Sequence, residues 1–458
     1  MKKNLRQPTT VLKTSDAITM MEQILFGILL ATGIGLFARR IGFIRRNINM
    51  GRDVNRSDQR GARWMVMARV ALGQGKMVAR PLAGIMHILI YVGFVIINLE
   101  MLEIVLDGLL GTHRVFAGMG SLYNVLIASF EWLAAGVILA CVVFFVRRNG
   151  GAIARFRSKE MTGWPSLDAN IILVAEVLLM FAFLSMNAAD GMAQARGIDH
   201  YVQAGSFPIS QFLMPLYEGL TDSGVVAVER GMWWFHIAGV MAFLVYVTYS
   251  KHFHIILAFP NTYYSDLTEQ GAMDNMAAVK KEVDLMMDPS ADPYAAPADA
   301  DAEPARFGAK DANDLSWKQL LEAYTCTECG RCTSECPANQ TGKLLSPRKI
   351  MMDVRDRIED IGKQRDAAGG NWAGDGKSLL GNFISEEELW ACTSCQACVQ
   401  ACPVNISPMG IVLDMRRSLI MEESKSPESI TTMFNNIENN GAPWAFPAAN
   451  RGDWTQDA

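Results

Sequence analysis

Five stretches of this chain are each apolar and long enough to cross a lipid bilayer, at roughly 23–44, 81–106, 122–146, 169–189 and 231–250. Nothing else in the sequence limits the fold as much. Lipid gives a backbone no hydrogen-bond partner, so each span must be a helix. Arg39 and Arg40 interrupt the first span, and their long stems can carry the charge to the interface. Half of the 458 residues are apolar, 19% are charged and the net charge is −5. That balance excludes a disordered or fibrous chain and gives no bulk attraction for nucleic acid. Residues 1–20 are polar, and no small-residue cleavage site follows the first apolar run, so the start does not read as a secretory signal.

Loop charge sets the orientation. Nine Lys and Arg fall in 45–80 and five in 147–168, while the other two loops are poor, with Arg114 in one and Arg196 in the other. The rich loops therefore face the cytoplasm, which puts the N-terminus outside and the C-terminal half inside. Lys2, Lys3, Arg6 and Lys13 oppose this and are outvoted. Trp233 and Trp234 at one end of the fifth span, and Tyr246 and Tyr249 at the other, fit interfacial aromatic belts.

Composition changes after Pro260. Residues 286–306 are rich in Ala, Asp and Pro and read as an acidic tether. The expected organisation is a tail (1–21), a transmembrane domain (22–260), a linker (261–314), a soluble domain (315–425) and a C-terminal tail (426–458). Helical spacing of Ile350, Met351, Val354, Ile358 and Ile361 predicts a helix over 346–361. Ser385 followed by Glu388 predicts a capping box opening another. No strand period is visible there, so the whole chain is expected to be all-α.

Eight of the nine cysteines form two runs, Cys326, Cys329, Cys332, Cys336 and Cys392, Cys395, Cys398, Cys402, each followed by proline. Both read C-x2-C-x2-C-x3-C-P. Three thiolates two residues apart can wrap a cubane, while the fourth is carried away and ligates the other cluster. This assigns Cys326, Cys329, Cys332 and Cys402 to one [4Fe–4S] cluster, and Cys392, Cys395, Cys398 and Cys336 to the second. Structural zinc normally takes two cysteine pairs, not two identical runs of four. The remaining cysteine, Cys141, reads as a buried span residue.

Three of the six histidines lie in or at the ends of spans: His87, His236 and His254. His87 is seven residues past Arg80, about 10 Å into the second span. If the fifth helix runs on through Lys251, His236 and His254 share one of its faces, about 27 Å apart. His87 and His254 then lie at similar depth, and two neutral imidazoles on facing helices are the usual way to hold haem b. On that helix His252 points elsewhere and is not expected to be a ligand.

The 56-residue separation of the cysteine runs resembles the helical dicluster ferredoxins of fumarate reductase and heterodisulfide reductase iron–sulfur subunits. The stretches LAGIMHILIYVGFVI and WWFHIAGVMAFLVYVTYSKHFHII resemble the second and fifth spans of the cytochrome b subunit of respiratory nitrate reductase, and the heterodisulfide reductase membrane subunit is similar. The resemblance implies two haems, each held by one histidine from each span. His87, His236 and His254 fall on three of the four ligand positions, and Ile97 stands at the fourth. The alternatives at the outer site are a haem with Met101 or Asn98 as its other ligand, or no outer haem, and one haem is expected. The order of the halves resembles a fusion of heterodisulfide reductase membrane and ferredoxin subunits, and SPRKIMMDVRDR and FNNIENNGAPW resemble a bacterial family of membrane-bound (Fe–S)-binding proteins. This implies a bacterial inner membrane with the ferredoxin on the cytoplasmic side. It also implies a cytoplasmic redox partner, with any CCG-motif iron–sulfur module supplied in trans.

The function expected is a membrane oxidoreductase passing electrons between that partner and the quinone pool, with analogy favouring quinone reduction. The alternative is an anchored electron-carrier or docking subunit with no substrate site. Glu100, Glu131 and Glu176 are candidates to relay the protons that quinone chemistry needs; hydrogen bonding between helices is their plainer role.

Overall fold

A computed structural model describes residues 11–151, 153–269, 271–290 and 306–456. Among these residues the regular structure is helical; two isolated bridges, Arg52 with Ser316 and Leu380 with Ile384, are the extent of β pairing. The bilayer-length helices are α1 (Val11–Ile48), α3 (Pro81–Leu110), α4 (Ser121–Asn149), α5 (Trp164–Ala195) and α6 (Asp222–Val247), with a short α2 (Arg60–Met67) between the first two. The expected all-α, five-span architecture is what the chain adopts. Lys2, Lys3 and Arg6 lie outside the described residues.

In the bundle, α5 packs against α4 and α6, α4 against α3, and α1 against α3 and α6. Phe26, Ile97, Ile127, Phe130, Phe183 and Ile237 are buried between these helices, while Leu99, Trp132 and Leu139 face outward where lipid would lie. Trp233 departs from the belt expectation. It is buried against Phe26 of α1, ring centroids 5.5 Å apart, because the bundle draws it inward.

The fifth span also departs from expectation, because it does not run on to His254. The helix ends at Val247, Ser250 adopts an extended conformation, and a new helix, α7 (His254–Tyr263), begins after one tight turn. Asp168 of α5 fixes the break. Its carboxylate accepts from the Tyr246 hydroxyl (2.5 Å) and the Lys251 amide (3.3 Å), while Ser250 Oγ accepts from the His252 amide (3.1 Å). The shared helix face of His236 and His254 therefore does not exist.

Beyond it come α8 (Ala277–Met287), within the stretch read as linker, and then α9 (Trp317–Thr325), α10 (Arg331–Ser334), α11 (Pro337–Gln340), α12 (Pro347–Ala367), α13 (Glu386–Trp390), α14 (Ala397–Ala401), α15 (Pro408–Arg417) and α16 (Glu428–Asn440). Residues 291–305 of the linker lie outside the described residues. Ile350, Met351, Val354, Ile358 and Ile361 of α12 are all buried, and Ser385 with Glu388 forms the capping box that opens α13. The soluble core is not self-contained. Ile44 of α1, Phe253 in the turn before α7 and Leu257 of α7 pack into the same apolar cluster as Leu320, Ile350, Val354 and Ile411. The two arginine-rich loops and the soluble part therefore meet at one end of the bundle. Arg40 of α1 makes an ion pair with Glu359 of α12 (2.7 Å), and Asn47 donates to the Tyr324 hydroxyl (2.8 Å).

Candidate functional site

Both cysteine runs adopt one local conformation. In C-T-E-C-G-R-C the residues before and after the second cysteine, Glu328 and Gly330, have φ of 54° and 69°. In C-T-S-C-Q-A-C the equivalent Ser394 and Gln396 have φ of 57° and 60°. Left-handed residues at these points turn successive amides towards the sulfurs; the Ser394 amide donates to Cys392 Sγ at 3.4 Å. Gly330 is also fixed by space, since a Cβ there would stand 2.4 Å from Arg348 Nη1.

The two runs approach one another through α10 and α14. Burial pushes the Cys402 thiol up to about 11, and the charge of Cys329 in the other run adds to this. Burial likewise raises Cys336, beside Cys392 and Cys395. Cys402 is thus set beside the first run and Cys336 beside the second. Among the described residues no three such donors converge as they would on a single ion. Thiols that bind different irons of a cubane stand round its faces, which suits this spread of all-sulfur donors to [4Fe–4S]. Cys395 is exposed, whereas Cys326 and Cys402 are buried towards the membrane half.

That membrane-facing site is tied to the bundle from several directions. Lys76 Nζ donates to the Cys402 carbonyl (3.2 Å) and Arg155 Nε to that of Cys329 (2.9 Å). Arg348, fully buried, donates to the Arg155 carbonyl (2.8 Å) and Glu160 (2.7 Å). Glu328 is paired with Lys251 and with Arg355 (2.7 Å). Burial pushes its carboxyl up, but the two cations outweigh this and hold it below the usual range. Sequence reasoning missed Lys76, Arg155, Lys251 and Glu328. The available signals were a glutamate between the first two cysteines of a motif and a lysine at the end of an apolar span.

Behind this contact stand two histidines. The His87 and His254 rings have centroids 6.3 Å apart at 38°. A metal–imidazole bond is roughly 2 Å; two such bonds and two half-rings fill that gap, so the pair fits an iron between them. His254 Nδ1 lies 3.1 Å from the Lys251 carbonyl, which fixes its tautomer and leaves Nε2 free, while His87 Nδ1 is buried without a partner, as an atom awaiting a bound group would be. Short chains of contacts link each histidine to the cysteine site. Lys251, whose carbonyl meets His254, pairs with Glu328. Arg331, between Cys329 and Cys332, donates to the carbonyls of Lys76 (3.0 Å) and Met77 (3.4 Å), and Met77 packs on Gly84, one turn before His87. His252 stands edge-on to His254 at 5.4 Å and against Phe243.

His236 is buried elsewhere, with Nδ1 2.9 Å from the Leu179 carbonyl and its ring against Phe183; Ile97 is buried in the same core. The carboxylates separate too. Glu131 accepts from the Ile209 (2.8 Å) and Ser210 (3.1 Å) amides and from Asn187 (3.2 Å), a loop-holding role. Glu100 is buried with Oε2 unpartnered, lining a cleft of about 30 Å³ with Glu103, His113, Arg114 and Asp190. Glu176 is half-buried on α5.

A bundle of bilayer-length helices capped by two adjoining four-cysteine runs fits a membrane protein of the iron–sulfur class. Residues 325–406 match the 4Fe-4S dicluster domain family. The chain is 26% identical over 414 residues to a probable iron-sulfur-binding oxidoreductase FadF of Bacillus subtilis, covering 84% of this chain and 54% of the relative. It is 26% identical over 434 residues to an EtfAB:quinone oxidoreductase of Syntrophomonas wolfei, covering 88% and 55%. A probable membrane-anchored ferredoxin of Chromohalobacter salexigens is 32% identical over 171 residues, 35% of this chain and 26% of the relative. The chain spans about half the length of the first two relatives. No solved structure matches. These likenesses fit an iron–sulfur oxidoreductase with membrane and dicluster ferredoxin parts in one chain.

Proposed function

We propose that the protein is a membrane electron-transfer subunit linking a cytoplasmic redox partner to the quinone pool, with two [4Fe–4S] clusters and one haem b as its cofactors, in a bacterial inner membrane with the ferredoxin part in the cytoplasm. The observation that carries this is the 6.3 Å separation of the His87 and His254 rings directly beneath the membrane-facing cysteine site. An oxidoreductase of quinone among the relatives supports the quinone link. The cofactors would supply one-electron chemistry at spaced stations. The chain's residues do the rest. His87 and His254 would hold the haem iron, and Lys251 fixes both the His254 ring and Glu328. The exposed edge at Cys395 is where an outside partner can approach. Glu100, unpartnered and buried, is the best placed of the three carboxylates to hold a proton for quinone.

The test is a pyridine-haem assay with an iron count on purified protein, expecting one haem and eight cluster irons. His87→Ala and His254→Ala should each abolish low-spin b-type absorbance and keep the cluster signals, whereas His236→Ala should keep both. Absorbance that survives His87→Ala would move the ligands elsewhere, and a second haem would reopen the outer site at His236. A haem-loaded sample whose redox state ignores a quinol analogue would favour the second reading, an anchored carrier without a quinone site.

A further inference from the structure

The two cysteine sites differ in the charge around them. Lys76 and Arg155 reach the membrane-facing site from bundle loops and donate to the carbonyls of two of its cysteines. Arg331 sits inside the motif itself. All the side-chain hydrogen bonds of these three cations go to uncharged carbonyl oxygens, at Cys402, Cys329, Lys76 and Met77. Among the described residues no carboxylate pairs with them, and the two acids of that run are already matched, Glu328 by Lys251 and Arg355 and Glu335 by Arg80 (2.9 Å). The outward site has a single comparable cation, Arg416, which donates to the Cys392 carbonyl (2.5 Å). The helix leading into that motif opens with Glu386, Glu387 and Glu388.

Reducing a cluster adds one negative charge. Fixed cations beside it stabilise the reduced form, and more so where burial limits screening. We propose that Lys76, Arg155 and Arg331 are positioning residues that hold the membrane-facing cluster at a higher reduction potential than the outward one. The gradient then favours reduction next to the histidine pair, which gives the chain a built-in inward polarity. This inference rests on the two-cluster reading proposed above.

The experiment is a potentiometric titration of the purified, full-length, cofactor-loaded protein followed by electron paramagnetic resonance. Cys395→Ser, at the exposed ligand of the outward site, identifies which signal belongs to that site. The membrane-facing signal should titrate at the higher potential. Lys76→Met and Arg155→Gln should each move it to lower potential and leave the outward signal in place, while Arg416→Gln should move only the outward one. Arg155→Lys, which keeps the charge, should restore most of the shift and guards against a loss that is merely structural. The inference is overturned if the membrane-facing signal has the lower potential. It is equally overturned if both signals move together, or if neither moves while iron content is unchanged. Absence of two cluster signals in the unmodified protein would instead sink the function proposed above.

Discussion

At the scale of single residues, the contact between the halves hangs on a few buried charges. Glu328 satisfies both Lys251 and Arg355. Removing one partner of a buried ion pair strands the others, at about 3–5 kcal/mol. Glu328→Gln should therefore lower the thermal midpoint in detergent by several degrees and leave far-ultraviolet circular dichroism unchanged. Gly330→Ala should fail more sharply, since a Cβ there meets the buried Arg348 guanidinium on a backbone that disfavours it; loss of iron on purification is the measurement. Asp353 on α12 gives a pH dependence. Burial raises its carboxyl to about 6 from 3.8, even with Lys349 at 2.7 Å. Between those values the native protein keeps a proton that the unfolded chain has released, so this residue's contribution makes stability fall as pH rises from about 4 to 6. Asp353→Asn should flatten that slope in midpoints measured across the interval.

At the scale of elements, the break between α6 and α7 decides where His254 stands. Asp168 holds it by accepting from Tyr246 and the Lys251 amide. Asp168→Ala leaves both donors unpaired, at about 1–3 kcal/mol, and should weaken the haem difference spectrum because His254 shifts away from His87. Five spans, the α12 helix, the Ser385 cap and the dicluster motif were all legible in the sequence. Each rests on a local rule: apolar length, helical period, cap chemistry or motif spacing. The α6–α7 break was not legible, because the residue that causes it lies on another helix 83 positions away from Lys251. The roles of Lys76, Arg155 and Glu328 were hidden for the same reason. The sequence names a charge, but only the packed chain names its partner. Glu131 illustrates the reverse error, a carboxylate in a span that serves two loop amides.

At the scale of the whole molecule, the soluble part is completed by the membrane part. A fragment of residues 306–456 would expose the apolar surface that Ile44, Phe253 and Leu257 cover. It should bind a hydrophobic dye and aggregate, whereas the intact protein in detergent should do neither; a monomeric, dye-silent fragment would contradict the shared core. Because those three side chains are plugged permanently into the other half, the halves have no need to collide. Any traffic between them is a first-order event, indifferent to dilution and to solvent viscosity, and only exchange with an outside partner can depend on concentration.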